Sequence, residues 1–363
     1  MSSKASKTLS SHADTKTQNQ AEKTMNLLFD ANLYSQKTKL SNLQGHGMKK
    51  KLDSTDYPHR DKINTVCWNK NKKYSDQLIA IDSSGLMNVW VPNKNKVIDS
   101  IKASNSTWLT SADVERQDGK ITAIGTLDNK ILIFEINKEN RRGIDPEGKK
   151  HKAQLLGHTG AIQTVQFLSQ QYLIAGSTDS QVSLWDLNQT SRHLQMNQVH
   201  TSEVLCLSVF ENDPNIFLSG SSDLTAKIWD IRVKNPVQHT FRGHESAVNT
   251  VKFMPFREST TFATGSDDSC IRLFDLRMIE IVSVFQDQKN FDGVYSICFS
   301  NSGRFIFCGT ESNKLKAFDV LNEANSFLEE EIFEKDGIIK SIDLSLDGFC
   351  LALSGNMEMY IKF

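Results

Sequence analysis

At 363 residues the chain is long enough for one large domain or two ordinary ones, and 42 Lys and Arg against 43 Asp and Glu leave it almost uncharged. The balance hides an asymmetry, since residues 1–55 hold nine Lys against Asp14, Glu22, Asp30 and Asp53, leaving the rest acidic. An acidic body speaks against a nucleic-acid backbone as ligand, and the basic leader admits two readings, attraction to an anionic membrane surface or a solvated tail.

Residues 1–19, rich in Ser, Lys, Thr and Gln, are predicted to be disordered. Over residues 20–44 Pro and Gly are missing, and Ala21, Met25, Leu28, Asn32 and Ser35 follow steps of four and three, a heptad seam with polar gaps; Leu27, Leu33, Leu40 and Leu43 lie off it. So short a seam is marginal alone, which leaves two readings: half of a two-chain coiled coil, or a helix lying on the body. Gly45 and Gly47 end it.

From there a repeat governs the chain. An aromatic residue closes an apolar run at Trp90, Phe134, Trp185, Trp229, Phe274, Phe318 and Phe363, at intervals of 44, 51, 44, 45, 44 and 45 residues. An acid follows directly in four units (Asp186, Asp230, Asp275, Asp319), and Gly-His opens two (Gly157-His158, Gly243-His244). These are the marks of WD repeats, and they predict an all-β, seven-bladed β-propeller over residues 45–363, preceded by the helical arm. In the fifth unit, Val248 to Phe253, Phe262 to Thr264, Ile271 to Phe274 and Ile281 to Phe285 read as four strands, with Gly, Asp, Ser and Pro between them. The seventh unit stops at its third-strand position, so its outer strand must come from residues 48–52, or the ring keeps an open edge. The long interval holds a polar insertion, Lys138 to Lys150, read as a surface loop.

His158, Ser177, Asp179 and Trp185, and again His200, Ser221, Asp223 and Trp229, recur at matching offsets. A nucleophile reading of Ser, His and Asp fails because catalysis needs such a set once, whereas this one repeats and ends on a Trp donor, as a buried hydrogen-bond chain would. Ser84, Ser312 and Met357 stand where the acid is expected, which predicts looser turns there. Gly143 to Lys150 spells G-x-x-x-x-G-K but lacks the following Ser or Thr and carries Asp145-Pro146-Glu147, so no phosphate loop is assigned. The histidines show no metal-ligand spacing, and Glu329-Glu330-Glu331 with Glu334 reads as a solvated charge run. Neither metal nor cofactor is expected. Cys67, Cys206, Cys270, Cys298, Cys308 and Cys350 lie apart in apolar strands, as reduced buried thiols do. No apolar stretch approaches a membrane span of roughly 18 residues, and the first residues form neither a signal peptide nor a myristoylation site, so a soluble intracellular protein is predicted. The sequons at Asn105 and Asn188 are then expected to stay unmodified.

Gly243-His244-Glu245-Ser246, Phe262 to Asp268, Arg272 to Arg277, Gly157-His158-Thr159-Gly160, Leu127-Asp128-Asn129 and Thr225 to Asp230 resemble the heterotrimeric G-protein beta subunits. The likeness spans residues 20–363, including the order arm, closing strand, seven repeats. It implies a non-enzymatic protein whose arm, through Ala21, Met25, Leu28 and Asn32, pairs with a gamma subunit. A GDP-bound alpha subunit would sit on one propeller face at Lys62, Lys96, Trp108, Leu127, Asn129, Glu203, Asp223 and Asp267, and effectors would take its place after release. Without a terminal CaaX cysteine of its own, the chain would reach the inner face of the plasma membrane from the cytoplasm only through lipidated partners. Trp108 has two readings, interface anchor or ordinary blade-core Trp. The sequence departs from the family at Asn64, Ala161, Ala247 and Asn356-Met357, each the loss of a contact a partner could have used. The alternative is a WD-repeat scaffold outside heterotrimeric signalling.

Overall fold

The computed structural model describes residues 49–51, 59, 61–136, 152–189, 191–196, 200–255, 260–286, 291–321, 328–333, 337–355 and 358–362. The tail, the helical arm with Ala21, Met25, Leu28 and Asn32, the insertion 138–150, and Asn356, Met357 and Phe363 lie outside the described residues. Among the described residues the one helical element is a 3-10 turn, Pro92–Lys94.

Everything else regular is strand, in seven antiparallel four-stranded sheets. From the channel outward, blade one is Ile63–Trp68, Leu78–Asp82, Leu86–Val91 and Lys96–Lys102, and blade two Leu109–Val114, Ile121–Thr126, Lys130–Glu135 and Ala153–Leu156. Blade three is Ile162–Phe167, Tyr172–Ser177, Val182–Asp186 and Ser191–Met196, and blade four Val204–Val209, Ile216–Ser221, Ala226–Asp230 and Val237–Phe241. Blade five is Val248–Phe253, Thr261–Ser266, Cys270–Asp275 and Glu280–Gln286, and blade six Val294–Phe299, Phe305–Thr310, Lys314–Asp319 and Leu328–Glu331. Blade seven joins Ser341–Leu344, Leu351–Ser354 and Met359–Lys362 to Lys49–Lys51, with Lys49 opposite Lys362 and Lys51 opposite Tyr360. The closing strand expected near residues 48–52 is therefore present, and it pairs the two ends of the propeller.

The middle strands are buried along almost their whole length because both blade faces are covered, which is why their sequences run apolar instead of alternating. Each interface is a sandwich of two sheets. Ile79, Ile81, Met87 and Val89 of blade one, for example, pack on Leu109, Val114, Ile124 and Phe134 of blade two. Side chains of this size contribute roughly 1.5–3 kcal/mol each when fully buried.

Around the channel, a second set of bonds runs from inner strand to inner strand. Thr65 donates to the Thr110 carbonyl (3.1 Å), Asn249 to that of Val294 (3.2 Å) and Ser296 to that of Ile339 (3.0 Å). Asp113 accepts from the Phe167 amide (2.8 Å), Gln166 from Val209 (2.9 Å), Ser208 from Phe253 (3.2 Å) and Asp343 from Trp68 (2.7 Å). All seven blade junctions are bridged this way, so polar residues on inner strands serve the ring.

Candidate protein-binding face

Because the strands are antiparallel, each blade sends its second-to-third turn and the loop entering its inner strand to one face, and its other two turns to the opposite face. On the first face the fourth turn residue is left-handed in blades one to six: Gly85, Asn129, Ser180, Leu224, Ser269 and Asn313 have φ between 64° and 88°. Such backbone needs local bonds to hold it in a non-glycine residue. In blades three, four and five the preceding Asp supplies them, accepting from the Gln181, Thr225 and Cys270 amides at 3.0–3.1 Å.

The same carboxylates hold histidines. His158 Nδ1 lies 2.9 Å from Asp179, His200 Nδ1 2.8 Å from Asp223 and His244 Nδ1 2.9 Å from Asp268. The other ring nitrogen meets Ser183 (2.5 Å), Ser219 (2.7 Å) and Thr264 (2.6 Å), and the Trp185 and Trp229 indoles donate to Ser183 and Ser219 at 2.8 Å. An indole only donates and a carboxylate only accepts, so the serine donates to Nε2 and Nδ1–H donates to the acid. Both serines are wholly buried, out of reach of a substrate.

This corrects the expected serines. Ser177 and Ser221 lie outside the relays; they donate to the Gly160 and Ser202 carbonyls and accept from the amides of Asp179 and Asp223. The relay hydroxyl occupies one position in space, at a cross-strand pair: Ala175 faces Ser183 in blade three, Ser219 faces Lys227 in blade four, and Thr264 faces Arg272 in blade five. Either strand can supply it, so a fixed sequence offset misses it. In blade five, where Phe274 replaces Trp, the ring stacks on Phe262 with centroids 5.2 Å apart, much as Trp229 stacks on Phe217 at 5.5 Å. Burial alone would raise the Asp179 carboxyl; hydrogen bonds from His158 and the Thr159 amide outweigh it and bring it down to about 2. Asp223 and Asp268 are held below the usual carboxylate range in the same way, by His200 and His244 against burial.

Two of the turns expected to be loose, those of Ser84 and Ser312, are held; that of Met357 lies outside the described residues. In blade one the acid has moved two residues back: Asp82 lies 3.0 Å from His59 Nδ1 and accepts from Ser84 Oγ (2.7 Å) and the Leu86 amide (2.9 Å). In blade six Thr310 accepts from the Lys314 amide at 3.2 Å, while Ser312 reaches Asp292 at 2.7 Å. Blade one does pay elsewhere, because the buried Trp90 indole N–H finds no acceptor.

Of the residues expected at a partner interface, Lys62, Trp108, Leu127, Asn129, Glu203, Asp223 and Asp267 share this face, on inner-strand loops and second-to-third turns. Lys96 does not. It opens the outer strand of blade one, after the Pro92–Lys94 turn, and so belongs to the opposite face. Trp108 is 55% exposed, beside Leu127 at 46%, and the Leu127 amide donates to the Trp108 carbonyl at 3.0 Å. Asp223 is committed to His200, and the Asn129 amide to the Thr159 carbonyl at 3.0 Å. Glu203 and Asp267, joined by Glu245 and Glu311, make the blade four to six sector acidic and exposed. Phe291, not singled out from sequence, adds an apolar residue 72% exposed to the same sector. Asn64, in contrast, is 5% exposed: it donates to Ser83 Oγ (2.9 Å) and the Leu109 carbonyl (2.6 Å), and its carbonyl accepts from Lys340 Nζ (2.7 Å). The residue that departs from the family serves the ring and is closed to a partner. The Ala161 and Ala247 carbonyls accept the turn amides of Thr178 and Asp267, and both half-buried side chains stand on this rim.

A buried relay in each good blade therefore fixes the turns that carry this face, and an exposed Trp-Leu pair and an acidic sector lie on it. A family profile described as the nucleolar protein 10-like N-terminal domain matches residues 146–322. Over more of the chain, it is 32% identical to the guanine nucleotide-binding protein subunit beta of Solanum tuberosum across 316 residues, 84% of this chain and 80% of that one. It is 31% identical to the subunit beta-1 of Nicotiana tabacum, with 84% and 80% covered, and 32% identical to the subunit beta of Arabidopsis thaliana, with 70% and 67% covered. With this identity maintained along the propeller, the chain belongs to the family of guanine nucleotide-binding protein beta subunits.

Proposed function

We propose that the chain is a non-catalytic beta subunit of a heterotrimeric G protein. Residues 20–44, with Ala21, Met25, Leu28 and Asn32 on the seam, pair with a gamma subunit, and the Trp108 face takes the GDP-bound alpha subunit, then effectors once alpha has left. The protein works in the cytoplasm at the inner face of the plasma membrane, held there by lipidated partners. The observation that carries this reading is Trp108, more than half exposed beside Leu127 on the face that also carries the relay-bound turns, since a large exposed aromatic within a polar rim is the usual anchor of a protein interface. The test is capture of the tagged chain from its native cells with GDP and again with a non-hydrolysable GTP analogue. A small helical partner in both captures, an alpha subunit with GDP only, and a loss of alpha capture of at least about tenfold in Trp108→Ala are expected.

A second reading, a WD-repeat scaffold outside heterotrimeric signalling, draws on the nucleolar-protein profile over residues 146–322 and on the small residues Ala161 and Ala247 at the rim. Recovery of neither subunit in either capture is its signature.

A further inference from the structure

The channel opens on the Trp108 face past one residue at the start of each inner strand, Asn64, Thr110, Gln163, Leu205, Asn249 and Tyr295, and Lys340 just before that of blade seven. Six are uncharged at neutral pH and Lys340 is a cation. Its ammonium donates to Asn64 Oδ1 at 2.7 Å, and Asn64 is fixed in turn by Ser83 and the Leu109 carbonyl. Lys340 is exposed as a residue while its head turns inward to that amide. Burial of the head, and after it the nearby Lys62 ammonium, lower the Lys340 pKa from its ordinary value. Among the described residues the side-chain partner of the Lys340 ammonium is the Asn64 amide and not a carboxylate, although acids stand exposed on blades four to six of the same face. Asp61 accepts from the Lys62 backbone amide at 2.7 Å, but among the described residues neither ammonium is ion-paired, at a spot where a docked protein would exclude water. Covering an unpaired charge is costly, so a protein that seals this face must bring an anion to that spot.

We propose that Lys340, with Lys62 beside it, forms a subsite for a carboxylate side chain of the protein that docks on this face. The inference rests on the reading that the face binds a partner, and it deepens that reading by naming the chemistry required at the blade seven to blade one junction. Lys340 supplies two N–H groups beyond the one given to Asn64, and Lys62 supplies the second charge.

The test is the affinity of the full chain, paired with its gamma subunit, for the GDP-loaded alpha subunit at low and high salt. Lys340→Gln removes the charge and keeps a donor for Asn64; it is expected to weaken binding about tenfold at low salt, and less at high salt. Lys340→Glu is expected to weaken it further, and Lys72→Gln, exposed on the opposite face, to change neither the affinity nor its salt dependence. Thermal melting of each variant separates lost binding from lost fold. Binding by Lys340→Gln within twofold of wild type, at both salts, overturns the subsite while the beta-subunit reading stands. Failure of the wild-type chain to bind any alpha subunit sinks that reading and this inference with it.

Discussion

In blade three the carboxylate that holds the histidine is the third turn residue, Asp179, and in blade one it is the first, Asp82, yet His158 and His59 end 2.9 and 3.0 Å from an acid oxygen. The turn needs one carboxylate facing the histidine and one hydroxyl binding the turn itself, and the two can exchange places along the chain. Beyond the histidine the blades part. Blade three continues through Ser183 to Trp185, whereas in blade one Asn88 contacts His59 Nε2 at 3.4 Å, its carbonyl accepts from Ser100, and Trp90 is left with no acceptor. A complete relay and a truncated one therefore hold the same turn, and the difference lies in the blade interior.

Removing the acid is the strongest way to break the comparison. Asp179→Ala and Asp82→Ala are each expected to cost roughly 3 kcal/mol in denaturant unfolding, because each strands a buried histidine donor and a turn amide, while Ser84→Ala costs under about 1 kcal/mol. A large loss at Ser84 with a small one at Asp82 would show that the order does matter. Next in size, Ser183→Ala leaves both Trp185 and His158 without their partner and is expected to cost about 2 kcal/mol, against about 1 kcal/mol for Ser177→Ala. The reverse ranking would return Ser177 to the relay. Smaller still, Trp185→Phe is expected to cost about 1 kcal/mol, whereas Trp90→Phe, which deletes an orphaned N–H, should be neutral or slightly stabilising. Equal losses at the two tryptophans would mean that Trp90 has an acceptor.

The gentlest test is pH. The Asp179 carboxyl, at about 2 in the folded chain against 3.8 for the ordinary group, contributes stability that is complete above about pH 4 and drains as pH falls towards 2. Melting temperature between pH 5 and 2 should fall less steeply in Asp179→Asn than in wild type. Parallel curves would mean that the carboxyl is not depressed.

Much of the molecule was legible before any coordinates. Aromatic spacing set the blade count, and the closing strand expected near residues 48–52 is the one that pairs with Met359–Lys362. The relays were legible as repeats but not in membership, since Ser183 and Ser219 reach their histidines through strand register and not through a constant offset. Seven of the eight residues expected at an interface do share one face; Lys96 does not, because alternating strand direction sends neighbouring turns of one blade to opposite ends.

The sequence by itself determined what depends on periodicity: strands and turns repeating every 44 or 45 residues, a ring of seven, and a chain that must close on itself. These are local preferences, each set by a few adjacent residues and multiplied by repetition. Only the tertiary structure decided which side chains meet. Exposure of Trp108, burial of Asn64 in the ring, the hydroxyl shared between two strands and the placement of Lys340 beside Lys62 all join residues distant in sequence. Hydrogen bonding and burial act through space, over a few ångströms, and no spacing along the chain encodes that distance.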